Sequence, residues 1–440
     1  MVGTAHPTSH SLHLMAVPLE GEGTWRIQAE LTQRSANNLQ ICEPLTCGGY
    51  VLKPTDVISS HSYSQRRALV TIALFTLLSL LLLFSACDPR REYEAALVIT
   101  DIAAGTAPTR LKSVTAQPRR TTVTFPSAGR SVVGDLYLPE QKPLAGILLL
   151  PGAAETGKDD PRLQAFANSL ARARFAVMVP DLLGFRSLRV GSGDIAETAD
   201  AFAWLLARSD LAPGGRAGIF SFSYATGPAI LAALEPRLAG RVRFMMAVGG
   251  YHNLKDVLIF FTTGDYLQGG RWRHMEPNSY GKWVFVLSNV GRLSNPGDRR
   301  LFQEAAYRKL ADLNAPLQDL AARLTPEGRR FYDFIDNRDR ARALSLMDRL
   351  PDPIRREIGA LNVAERDLTR LKARMILVHG YDDDIIPYSE SVALAKALPH
   401  GLVRLYLVYG LQHVDLEPRI IDKYRLWRAV SALLRERENE

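Results

Sequence analysis

Residues 214–227, GGRAGIFSFSYATG, decide how this chain is read. An apolar run, Ala217–Phe220, ends in Ser221-Phe222-Ser223-Tyr224-Ala225, and a helix-like run, Gly227–Leu234, follows. That order predicts a strand, an abrupt turn and a helix, with Ser223 at the apex. Strand and helix nearly touch at such a turn, so the residues two before and two after the serine must be small. Ser221 and Ala225 hold those places, where glycine is usual. A turn of this kind presents its serine hydroxyl as a nucleophile. The plainer reading is a serine-rich turn ahead of a core helix. Ser221 fits the nucleophile's place less well than Ser223, because Ile219, two residues before it, is not small.

The surroundings favour the chemical reading. Upstream, Thr121–Phe125 and Ser131–Tyr137 flank a Pro/Gly turn and read as a hairpin. Gly146–Leu150 and Phe175–Val179 are continuous apolar runs, as strands buried on both faces require. Pro161–Arg172 fits a helix between them, and Asp194–Ala207 another after the second. Downstream come a strand at Phe244–Val248, a long interruption, a strand at Arg374–Val378 and a helix at Ser389–Leu398. A strand at Val403–Val408 and a closing helix at Ile420–Leu434 complete the pattern. Alternation at this spacing means βαβ units, an α/β fold with a mostly parallel central sheet flanked by helices. Ligands bind such sheets at the carboxyl ends of the strands.

Three polar sites fall at such ends. Ser223 follows one strand; Asp382, Asp383 and Asp384 follow Arg374–Val378; His413 follows Val403–Val408. The chain order is Ser, Asp, His. Over roughly residues 121–250 and 371–440 the sequence resembles the α/β-hydrolase superfamily, whose triad runs in that order. HGYDDDIIP (379–387) is similar to the family's acid loop and selects Asp383; GLQHVD (410–415) is similar to its histidine loop and selects His413. PGAA (151–154) resembles the family's oxyanion loop, with Pro151 where histidine is common, and VPDLLGFRS (179–187) resembles its loop after the fourth strand.

The resemblance implies a serine hydrolase, esterase- or lipase-like. A serine hydroxyl needs a base within hydrogen-bond reach, and that base an orienting acid. Ser223 is then the nucleophile, His413 the base and Asp383 the residue that fixes the imidazole. The backbone N–H groups of Tyr224 and Ala153 form the oxyanion hole. No metal or organic cofactor is implied. Asp382 and Asp384 read as turn residues. His252 and His274 lie in the interruption, and His400 follows a helix, so these are read as structural or substrate-side. Asp181, at the head of its loop, is read as structural.

Tyr251–Leu371 interrupts the sheet, and residues 251–370 are expected to form a large helical cap over the site. Helices are expected at Arg299–Asp312, Leu317–Leu324, Arg340–Leu350 and Ile354–Arg370. Trp272, Trp283, Phe260 and Phe261 are candidates for a pocket wall or for the cap's own core. The competing reading is a separate packing domain without substrate contact.

Composition bounds the partners. Of 440 residues, 47% are hydrophobic, enough for a sizeable core. The net charge of +8 is spread without a Lys/Arg block, which disfavours nucleic acid. Ala68–Ala86, ALVTIALFTLLSLLLLFSA, is uncharged, follows Arg66-Arg67 and is long enough to span a bilayer. Its end, Phe84-Ser85-Ala86-Cys87, resembles the lipobox of bacterial lipoproteins, which implies lipidation at Cys87 after cleavage. An uncleaved anchor, a secretory signal and a twin-arginine signal are the other readings. The first three place the downstream chain outside the cytoplasm, anchored in the cell envelope or secreted.

Cys42 and Cys47, the other two cysteines, lack companion ligands. Residues 1–65 are expected to be disordered or a mis-assigned start, 66–87 the signal or anchor, and 88–120 a tether that carries a short helix, Glu92–Ile102, and a Pro/Thr linker. The leading expectation is a membrane-tethered, extracytoplasmic enzyme that cleaves a carboxylic ester or related acyl bond of a small molecule. An amidase or peptidase with the same triad is the enzymatic alternative. A catalytically silent homologue acting as an envelope binding or scaffold protein is the non-enzymatic one.

Overall fold

The computed structural model describes residues 88–412, 415–416 and 419–438. The expected anchor Ala68–Ala86, Cys87 and residues 1–65 lie outside them. Among the described residues no helix is long and apolar enough to cross a membrane.

In the segment expected as a tether, the helix expected at Glu92–Ile102 is present and longer, as α1 (Pro89–Ala104), and a second helix, α2 (Arg110–Val114), follows it. Asp88 starts α1 by accepting the Arg90 N–H, and Pro89 sits in the first turn, where a missing N–H costs nothing. Next come β1 (Arg119–Ser127), β2 (Arg130–Leu138), β3 (Ala145–Leu150), α3 (Pro161–Arg172) and β4 (Phe175–Pro180). They are followed by α4 (Leu183–Arg186), α5 (Gly193–Leu206), β5 (Ala217–Phe222), α6 (Thr226–Ala233) and β6 (Phe244–Val248).

Between β6 and the next sheet strand lie seven helices and one hairpin. These are α7 (Leu254–Thr263), β7 (Asp265–Gln268), β8 (Arg271–His274), α8 (Tyr280–Asn289), α9 (Pro296–Ala311), α10 (Gln318–Ala321), α11 (Pro326–Ile335), α12 (Arg340–Asp348) and α13 (Asp352–Leu361). The sheet resumes with β9 (Arg374–Gly380), α14 (Ser389–Ala397), β10 (Val403–Val408), the short strands β11 (Leu411–Gln412) and β12 (Asp415–Leu416), and α15 (Ile420–Glu436).

The main sheet has eight strands in the order β1-β2-β4-β3-β5-β6-β9-β10. β2 is antiparallel to both its neighbours, and the strands from β4 through β10 are parallel. β3 and β4 are buried along their whole length, which explains their unbroken apolar sequences. Alternate residues feed two cores: Leu148, Ala176 and Met178 face one side, Ile147, Leu149 and Val177 the other. The second core is closed by α3, α15 and α1. Trp427 Nε1 donates to the Glu92 carbonyl (2.8 Å), Ser431 Oγ to Glu92 Oε1 (2.7 Å) and Ser169 Oγ to Asp101 Oδ2 (2.6 Å). α1 is thereby a wall of the domain.

The cap's apolar residues, Val286, Phe331 and Phe334 among them, are continuous with the first core. Three details differ from expectation. Residues 265–274 are a hairpin, turning on Gly269-Gly270, both at positive φ. α11 was not expected; its signal is Thr325-Pro326, where the threonine side chain accepts the Gly328 N–H. The helix expected through Arg370 stops at Leu361, because Asn362 leaves helical geometry to accept the Leu254 N–H (2.9 Å), which ties the cap's exit to its entry.

Candidate active site

β5 leads straight into the turn at residues 223–225, and Ser223 has φ +53°. A non-glycine residue in the left-handed region costs about 1–3 kcal/mol and persists only where its surroundings impose it. Those surroundings are visible. Thr226, Gly227 and Ala225 are fully buried against the end of β6 and the loop after it. A Cβ on Gly227 would lie 1.9 Å from Tyr251 Oη, which donates to the Leu361 carbonyl (3.0 Å). Gly227→Ala is therefore expected to destabilise the protein by about 1–3 kcal/mol, since the overpacking exceeds alanine's helix preference. Chemical denaturation of the two proteins checks this. Ser221, in place of the usual glycine, is buried and its Oγ lies 3.2 Å from Thr226 Oγ1. Its hydroxyl serves the turn, so the unusual residue is accommodated without opening strand from helix.

Tyr224 follows Ser223 and is held firmly. Its hydroxyl donates to Asp194 Oδ2 (3.1 Å), and its ring packs on Phe185 and Tyr251. Asp194 also accepts the Gly191 N–H (2.8 Å), and burial pushes its carboxyl up to about 6. Burial likewise pushes the Tyr224 phenol well above its ordinary value. The loop after β3 passes beside the serine: a Cβ on Gly152 would stand 3.5 Å from Ser223 Cβ. Tyr280 of α8 donates to the Ala153 carbonyl (3.3 Å), which fixes that loop from the cap side. Ser223, Tyr224 and Ala153 all line one cavity of about 980 Å³.

Asp383, two strands away, follows β9 and is 1% exposed. Its Oδ1 accepts the N–H groups of Ile385 and Ile386, both at 2.9 Å, and Oδ2 stands 3.3 Å from His379 Nε2. The imidazole of His379 is wholly buried; Nε2 donates to the Ile386 carbonyl (2.8 Å), which leaves Nδ1 to accept from Ser391 (2.7 Å). Asp382 does different work: its Oδ2 accepts the Gly410 N–H (3.1 Å), while its buried Oδ1 has no partner among the described residues. A Cβ on Gly380 would lie 2.0 Å from the Leu411 carbonyl, so the glycine lets the turn after β10 close onto the acid loop. His413 lies outside the described residues. The structure thus brings Ser223, Tyr224 and Ala153 to one cavity and seats Asp383 in the acid loop, beside the cavity-lining Ile385 and Ile386.

The cap lines the same cavity through Val257, Phe261, Tyr280, Val284, Ile358 and Leu361. Of the four aromatic candidates, only Phe261 is in the lining. Phe260 and Trp283 are buried in the cap's own core, and Trp272 is 44% exposed on the hairpin, with the Arg340 guanidinium 4.5 Å from its ring centre.

Sequence reasoning missed Glu390. Its Oε2 accepts the N–H groups of His252 (3.0 Å) and Asn253 (2.7 Å), where the chain leaves the sheet for the cap. Burial pushes this carboxyl from 4.5 up to about 7. A raised folded-state pKa means the folded chain holds the proton more tightly than the unfolded one. The contribution is complete below about pH 4.5 and is lost as pH rises through about 7. Glu390→Gln is therefore expected to match the wild type near pH 4.5 and to exceed its stability at pH 8, in urea melts at the two pH values.

No model of a known protein family matches the chain, and no curated protein does. Solved structures do. A candidate hydrolase from Legionella pneumophila subsp. pneumophila superposes with a TM-score of 0.51 at 12% identity, over 80% of this chain and 95% of that one. An esterase from Pyrobaculum calidifontis is similar more loosely, with a TM-score of 0.40 at 15% identity over 82% of this chain and 97% of that one. So is the esterase domain of a Rhodothermus marinus protein, with a TM-score of 0.37 at 13% identity over 72% and 96%. The chain has the α/β-hydrolase fold, with a helical insertion between its sixth and seventh sheet strands.

Proposed function

We propose that the protein is a serine hydrolase that cleaves a carboxylic ester or related acyl bond. The observation that carries this is Ser223 itself: a non-glycine residue held at positive φ, at a strand-to-helix apex, in the wall of a large cavity. Of the four described non-glycine residues at positive φ, Ser223 alone lines the cavity.

Ser223 Oγ attacks the carbonyl carbon while His413 takes its proton. Asp383 holds the imidazole and stabilises its charged form. The carbonyl oxygen becomes an oxyanion facing the N–H groups of Tyr224 and Ala153, each worth roughly 3 kcal/mol in the transition state. The C–O bond breaks, and the alcohol leaves with the proton from His413. Water, deprotonated by His413, then attacks the acyl-serine; the acid is released and Ser223 regains its proton. The test is pre-steady-state turnover of an activated ester by the full chain. A burst of one alcohol per protein is expected; a well-folded protein that releases none contradicts the proposal.

We also propose that the enzyme is tethered at an envelope membrane, outside the cytoplasm, through lipid on Cys87. The support is the apolar run Ala68–Ala86, which ends in Phe84-Ser85-Ala86 directly before Cys87. Metabolic labelling with a fatty-acid analogue should mark the wild type and not Cys87→Ser; equal labelling of both rules the site out.

A further inference from the structure

The cavity does not end beneath the cap. Its lining includes Ile102 of α1, Phe166 and Leu170 of α3, and Ala429, Val430 and Leu433 of α15. All six belong to the second core or pack directly against it, on the opposite side of the sheet from the first. Ser223, at the carboxyl end of β5, stands where the two sides meet. We infer that the cavity has two apolar arms, one under the cap and one between α1, α3 and α15. It therefore takes an ester with a long hydrocarbon chain on each side of the scissile bond. This rests on the reading of Ser223 as the nucleophile.

Three observations support it. The volume, about 980 Å³, is at the upper end for small-molecule sites. Protein cores are close-packed, so an apolar void lined by side chains as buried as Ala429 and Leu433 forfeits contacts unless a ligand fills it. Among the described residues, the charged groups in the lining are few and peripheral to the second arm. Asp160 and Arg162 pair with one another at the start of α3, and Glu357 is on the cap side, paired with Arg292. A polar chain deep in the second arm would lose its water with nothing in exchange, whereas a hydrocarbon gains from burial. The lining also takes in Ala103, in the last turn of α1, and Thr106 just beyond it, both exposed, so the arm runs toward the surface there.

The test uses the full chain in lipid nanodiscs. A hexadecyl palmitate analogue carries a photoreactive diazirine at the end of either its acyl or its alcohol chain. It is crosslinked to Ser223→Ala protein, where turnover plays no part, and the adducts are mapped by mass spectrometry. One probe should mark cap peptides, and the other peptides of α1, α3 or α15. Marks confined to the cap overturn the second arm, whatever the chemistry of Ser223.

In wild-type protein, kcat/KM should rise with chain length on both sides of methyl, hexyl and hexadecyl esters of short and long acids, by up to roughly fourfold per added methylene before it levels off toward the diffusion limit. Ala429→Trp should cut the long-to-short ratio at least tenfold on one side only. A chain-length gain on one side alone, or an unchanged ratio in Ala429→Trp, contradicts the proposal. Crosslinks in the second arm from a protein that cleaves no ester would instead separate a valid binding site from a failed assignment of the nucleophile.

Discussion

Ser223→Ala is expected to abolish turnover: kcat should fall by about six orders of magnitude, with the fold intact and KM little changed. Removing the nucleophile of a serine triad costs about as much as removing the whole triad, because its members act as a unit. What survives is catalysis by the oxyanion donors and by binding. The substitution deletes only a hydroxyl at a half-buried position, and alanine tolerates the left-handed turn about as well as serine does. Stability should therefore change by well under the cost of a core mutation. Ser221→Ala is the informative neighbour. Its hydroxyl meets Thr226 in the interior, so its loss should be felt as about 1 kcal/mol of stability with activity retained. Steady-state kinetics and urea melts of the two variants separate the serines by role.

The second large effect is at the acid loop. Asp383→Asn should lower kcat by about four orders of magnitude without unfolding the loop. Asparagine keeps an oxygen for the N–H groups of Ile385 and Ile386, so the turn that these bonds define is preserved. In the proposed triad it would lose the carboxylate that selects the imidazole tautomer and stabilises the imidazolium. Asp383→Ala is the poorer experiment, since it strands two N–H groups and adds a folding penalty to a catalytic one. Asp382→Asn is the control. That side chain accepts a hydrogen bond from Gly410, an amide oxygen serves equally there, and kcat should stay within tenfold of wild type.

Most of the fold was legible because the parallel strands are buried on both faces and write themselves as runs such as GILLL and FAVMVP. The elbow was legible in part. Sequence gave Ser223 its place, yet its two departures from glycine could be weighed only once Ser221 was seen bonded to Thr226 and Ala225 seen fully buried. The choice among three adjacent aspartates came from family spacing, and the geometry gives Asp382 and Asp383 distinct partners.

The cap was less legible, for physical reasons. Arg/Ala/Leu-rich stretches keep helical periodicity whether or not they turn, so Asn362, which ends α13 by reaching back to Leu254, looked like one more helical residue. Trp272 and Trp283 carry the same apolar signal in the sequence, but one lies on an exposed hairpin and the other in the cap's core. Glu390 was invisible because its role depends on a backbone far away in sequence. The second arm of the cavity left no trace, since α1, α3 and α15 form it only by packing together.

The most direct measurement is labelling of the full chain by a fluorophosphonate, which phosphonylates only an activated serine, followed by peptide mapping. One label per chain, on Ser223 and absent from Ser223→Ala, is the result this account predicts. A folded protein that takes no label, or one whose label survives Ser223→Ala, would contradict it.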